Sequence, residues 1–117
     1  VITFNKARER IEVLKRGYDT AINNPDPAFA ERFIKKYPNA PAIVYIYNQQ
    51  IAALSNLREM TAVGEIYAET PKDRKNYKKE INKSRDVFMN QVDGLYKTYE
   101  EDIDDYYRFG AAKNLVP

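Results

Sequence analysis

The chain has 117 residues, one domain's worth, and its 19 Lys plus Arg against 17 Asp plus Glu leave a net charge of +2. A balance this near neutral means that any basic face is local and offset elsewhere. Cysteine and histidine are both absent, which removes disulfides, thiolate chemistry, zinc sites of the usual ligand types and imidazole acid–base catalysis.

A hydrophobic content of 44% beside 31% charged residues belongs to a folded protein rather than a disordered one. The longest apolar run, Ala40 to Tyr47, is interrupted by Pro41 and falls far short of the roughly 20 residues a membrane span needs. No signal peptide is visible at the N-terminus. The chain starts at Val1, which suggests a processed protein or a single helical domain (1–117) cut from a longer chain. Leu115-Val116-Pro117 reads as native sequence or as an appended remnant.

Phe4, Ala7, Ile11, Leu14, Tyr18 and Ala21 recur at steps of three and four, the spacing of an amphipathic helix with a coiled-coil-like stripe. Thr3 suits its N-cap. Asn23-Asn24-Pro25 ends it, because proline disfavours helical geometry in the residue before it. Asp26-Pro27 then starts a short helix with a capping carboxylate and a proline at the first position. Its Phe29, Phe33 and Tyr37 share one face, Ile34 lies beside them, and the two Phe rings are expected to anchor the core. Pro38 and Pro41 are expected to close this helix and force a connector.

A third helix is expected from about Ala42 to Tyr67. Ile43, Tyr47, Ile51, Leu54, Leu57 and Thr61 form one stripe, widened by Ile46, Met60, Val63, Ile66 and Tyr67. It is the least charged segment and so is expected to be the most buried. Gly64 weakens it by up to about 1 kcal/mol relative to Ala and suggests close approach of a neighbour. Thr70-Pro71-Lys72-Asp73 starts a fourth helix in the manner of a capping box. From there Tyr77, Ile81, Ser84, Phe88, Val92, Leu95, Tyr99, Ile103 and Tyr106 continue one stripe to Gly110. A single helix from Pro71 to Phe109 would be about 58 Å long, too long for the third helix to cover. Its far end must rest on the first helix, on another subunit or on water. No segment alternates with period two, so strand content is expected near zero. The expected fold class is all-α: a long antiparallel hairpin of the third and fourth helices, with a third long helix and one short helix, in an elongated bundle.

The charge of the fourth helix reverses along its length. Lys72, Arg74, Lys75, Lys78, Lys79, Lys83 and Arg85 stand near its start, and Asp93, Glu100, Glu101, Asp102, Asp104 and Asp105 near its end. This order opposes the helix dipole, which favours anions at the N-terminus by about 0.3–1 kcal/mol each. Local helix stability therefore does not account for it. It suggests antiparallel self-association, or pairing with an oppositely patterned helix. Lys72, Lys75, Lys79 and Lys83 form a ridge and are the candidate contacts for nucleic acid or another anion, set against the plainer reading of a solvated face. The consecutive acids lack the alternation and central glycine of a calcium loop, so they read as a solvated acidic face. Six of the ten Tyr (18, 37, 47, 77, 99 and 106) fall on apolar stripes, their hydroxyls expected to reach water. Tyr96 and Tyr107 lie off the stripe, and with Arg108 they are the candidate protein contacts. No catalytic or metal-binding constellation stands out, and neither an enzyme nor a cofactor nor a small-molecule substrate is expected.

Several local patterns occur in a familiar order. Leu14-Lys15-Arg16-Gly17-Tyr18 is followed by Pro27-Ala28-Phe29-Ala30 and by the break from Lys35 to Asn39. The run from Tyr47 to Arg58 comes next, with Ile51, Leu54 and Leu57 spaced by three. Arg74-Lys75, Ile81 and Arg85 then mark a capped basic helix. Over about residues 4–95 this resembles the helical segment near the end of the large polyvalent proteins of phages and mobile elements, some of them internal virion or ejection proteins. The resemblance implies a structural or interaction module in a virion or host cytoplasm, and no site residues. The alternatives are a nucleic-acid- or anion-binding helical domain and a bacterial helical adaptor assembling through coiled-coil contacts.

Overall fold

A computed structural model describes residues 2–110; Val1 and residues 111–117, Leu115-Val116-Pro117 among them, lie outside the described residues. The protein is all-α, with no strand among the described residues. The helices are α1 (Phe4–Ile22), α2 (Pro27–Lys36), α3 (Ala40–Ile66), α4 (Pro71–Thr98) and α5 (Glu100–Asp105), closed by a π-helical turn over Tyr106–Gly110. No helix among the described residues is long and apolar enough to cross a membrane.

The starts follow the expected capping chemistry. Lys6 N donates to Thr3 Oγ1 at 3.3 Å, Ala28 N to Asp26 Oδ1 at 3.0 Å and Asp73 N to Thr70 Oγ1 at 3.1 Å, each satisfying a first-turn amide that has no helical partner. Two boundaries differ from expectation. Pro41 does not end a connector but sits in the first turn of α3, which begins at Ala40; there a missing amide hydrogen costs nothing. The expected single fourth helix is broken at Tyr99, whose φ of −120° and ψ of 29° leave helical geometry. A new helix starting at Glu100 places Glu100, Glu101 and Asp102 in its first turn, where the helix dipole favours anions. The break thus turns an adverse placement of those acids into a favourable one.

The chain divides into two compact units, one formed by residues up to Tyr47 together with those from Val92 onward, the other by Asn48–Gln91. In the first unit Ala7, Ile11, Leu14 and Ala21 of α1 pack in a core with Phe33 and Tyr37, with Ile43 and Tyr47 from the start of α3, and with Val92, Leu95 and Ile103. This core buries whole Ile, Leu, Phe and Tyr side chains, each worth about 1.5–3 kcal/mol for the larger apolar ones. The π turn rests on α1, where the Tyr106 hydroxyl fills the space that a Cβ on Gly17 would occupy. The end of the expected fourth helix is therefore carried by α1, one of the three supports considered. Phe33 is buried as expected, with Tyr37 at 5.5 Å and Tyr106 at 5.4 Å between ring centroids. Phe29 is only half-buried and lies under the Arg32 guanidinium, 4.5 Å from its ring centre; it is not the second anchor.

In the second unit α3 and α4 run antiparallel. Gly64 faces Tyr77, whose ring would lie 2.5 Å from a Cβ at that position, and Gln50 Nε2 donates to the Gln91 carbonyl at 3.3 Å. Here only Thr61 and Phe88 are buried. The expectation that α3 is the most buried helix holds for its first two turns and fails beyond Tyr47. Absence of charge marked it as buried, but within this unit α4 covers one side of it only.

Candidate functional site

The first unit holds two matching polar clusters, each built on a buried tyrosine. The Tyr47 hydroxyl donates to Glu12 Oε1 at 2.7 Å and accepts from Arg8 Nε at 3.1 Å. The Tyr96 hydroxyl donates to Asp104 Oδ1 at 2.7 Å and lies 3.4 Å from Arg10 Nη1, which itself reaches that oxygen at 2.7 Å. Burial first, and then the hydrogen bond to a carboxylate, push both hydroxyls up to about 12. Each phenol stays protonated at neutral pH and donates its hydrogen to the carboxylate, so the two groups are held together as a clasp. These clusters fasten α1 to neighbouring elements of the unit.

Tyr96 is only 2% exposed, which corrects its assignment as a protein contact. Counting along a straight helix put it off the apolar stripe, but the break at Tyr99 redirects the chain and brings Asp104 over its hydroxyl. Tyr107 is half-buried with the Arg10 guanidinium 4.9 Å from its ring centre, and Arg108 is exposed. The three residues therefore do not form one surface. The acidic face is likewise divided: Glu100 and Glu101 are exposed, whereas Asp102, Asp104 and Asp105 are half-buried. Nor do the stripe tyrosines all reach water. The Tyr37 hydroxyl is buried without a hydrogen-bond partner, as is Asp102 Oδ2, and burial followed by the nearby Asp105 charge pushes the pKa of Tyr37 well above the usual phenol value, so the hydroxyl stays protonated. No carboxylate group among the described residues is arranged to hold a metal ion.

The second unit presents the larger exposed features. Met60, Val63 and Ile66 at the end of α3, and Tyr67 just beyond it, are 72%, 55%, 75% and 78% exposed. Between the two helices a groove of about 90 Å³ is lined by Leu54, Leu57, Val87 and Phe88 together with Gln50 and Gln91. Gln50 Oε1 is buried there with no donor to satisfy it. Lys72, Lys75, Lys79 and Lys83 are all exposed on α4, and none forms an ion pair among the described residues. Sequence reasoning found the ridge from its spacing. It missed the exposed face of α3, because apolar residues on every side of a helix do not say which side is covered.

No family model matches the chain, and no curated protein or solved structure matches it.

Proposed function

We propose that this chain is a non-enzymatic helical interaction module of a larger phage virion protein, and that it docks a partner helix on the outer face of α3. One observation carries the reading: Met60, Val63 and Ile66 in the last turns of α3, and Tyr67 just beyond its end, are all more than half exposed. Contiguous apolar side chains of this kind are characteristic of protein interfaces rather than of solvated helices. The virion placement rests on the order of helices, breaks and short motifs over about residues 4–95. In the first unit the buried hydroxyls of Tyr47 and Tyr96 are held by Glu12 and Asp104, in keeping with a structural role for those polar groups.

Antiparallel pairing of two α4 helices receives less support. The basic block lies on α4 and most of the acids on α5, and Asp104 is already occupied by Arg10 and Tyr96. The test is photo-crosslinking from Met60→p-benzoylphenylalanine, with Asn5→p-benzoylphenylalanine as an exposed control. Position 60 should capture a discrete protein in purified virions where position 5 does not. Equal capture from both positions would remove the α3 interface, and absence of the protein from virions would remove the virion placement.

A further inference from the structure

The basic ridge of α4 differs in chemistry from the α3 face and does not depend on the function proposed for it. Between Lys72 and Arg85 seven cations stand against Asp73 and Glu80, leaving five positive charges. All seven are exposed, and none is in an ion pair among the described residues. The face of α4 turned toward α3 is marked by Tyr77, Ile81 and Ser84, which are half-buried, and by Phe88, which is buried. Lys75 and Lys79 each lie two residues from Tyr77 and Lys83 lies two from Ile81, about 200° around a helix of 3.6 residues per turn. The ridge therefore points directly away from the α3 contact. Its ammonium groups follow one another at about one helical pitch, 5.4 Å, over about 17 Å from Lys72 to Lys83.

Helix stability gives no reason for this placement. The break at Tyr99 relieves the dipole at the acidic end, but Lys72, Arg74 and Lys75 remain in the first turns of α4 with only Asp73 to offset them. Cations there oppose the positive end of the dipole. We propose that the Lys72–Lys75–Lys79–Lys83 ridge is a binding site for the phosphate backbone of nucleic acid, read by charge and not by sequence.

Three features favour a phosphate backbone over a membrane surface or a protein partner. The exposed neutral residues of this face include Asn76 and Asn82, side chains that donate to phosphate oxygens and carry no base specificity. No aromatic or aliphatic side chain interrupts the row from Lys72 to Lys83 on the outward face, so it lacks the apolar insertion that an amphipathic membrane-surface helix uses. It lacks equally the apolar anchors that hold a protein interface together. Lysine supplies a point charge able to meet a phosphate from many directions.

The experiment is fluorescence anisotropy of the whole chain with a labelled random-sequence DNA duplex across a salt series. Four phosphate contacts give a slope of log affinity against log salt of about −3.6, or roughly a 100-fold loss between 50 and 200 mM. Changing Lys72, Lys75, Lys79 and Lys83 together to Gln should abolish binding, and Lys79→Glu alone should weaken it and flatten the slope. A charge-matched variant with Lys6, Lys35, Lys36 and Lys97 changed to Gln should bind as the parent does. Circular dichroism verifies that each variant is folded. The proposal is overturned if the parent fails to bind DNA, if the ridge variant binds as tightly as the charge-matched one, or if the parent prefers phosphatidylserine vesicles to DNA.

Discussion

The Tyr96 hydroxyl and the Arg10 guanidinium meet on a single oxygen, Asp104 Oδ1, each at 2.7 Å. The Arg10 and Asp104 side chains are only 20% and 21% exposed, so neither has free access to the water that would replace its partner. Asp104→Ala would strand a buried phenol and a partly buried cation, and should cost about 1–3 kcal/mol. Urea unfolding measures this. A loss near zero would mean that the cluster is a surface ion pair of the kind that contributes little.

Alkaline pH should loosen the first unit. Tyr47 and Tyr96 are pushed up to about 12 by burial and by their carboxylate partners, whereas an unfolded tyrosine titrates near 10. The folded state therefore holds these protons more tightly than the unfolded state does. Their contribution to stability is complete below about pH 10 and is lost progressively as pH rises toward about 12. The melting temperature should fall across that window. Tyr47→Phe and Tyr96→Phe together should remove part of the fall; an identical decline in the double variant would show that other groups cause it.

Phe33 stands at the centre of an aromatic cluster, with Tyr18, Tyr37 and Tyr106 at 6.0, 5.5 and 5.4 Å. Phe33→Ala should cost about 3–5 kcal/mol, the range for a fully enclosed ring. Phe29→Ala should cost clearly less, since that ring is half-buried. Equal losses in chemical denaturation would contradict the assignment of Phe33 as the anchor of α2.

Two glycines in helix interiors should respond oppositely to alanine. A Cβ at Gly94 meets nothing within 4 Å, so Gly94→Ala should stabilise by about 0.5–1 kcal/mol through helix propensity. A Cβ at Gly17 would overlap the Tyr106 hydroxyl, and Tyr106 is itself buried. Gly17→Ala should therefore destabilise by about 1–3 kcal/mol, as overpacking does. Thermal melts of both variants decide the signs.

The sequence by itself determined the local architecture. Thr3, Asp26 and Thr70 cap where their chemistry says they should, Asn23-Asn24-Pro25 ends the first helix, and the α1 stripe of Ala7, Ile11 and Leu14 is buried. These features depend on residues within one or two turns of each other, so spacing and residue type suffice. The basic ridge was legible for the same reason. What only the tertiary structure decided is which side of each helix is covered. Tyr96 became a core residue because the chain bends at Tyr99 and returns Asp104 to it. Met60 and Ile66 became surface because α4 covers a single side of α3 within their unit. A one-dimensional apolar pattern records that a side chain prefers to be buried. It does not record whether the chain supplies anything to cover it.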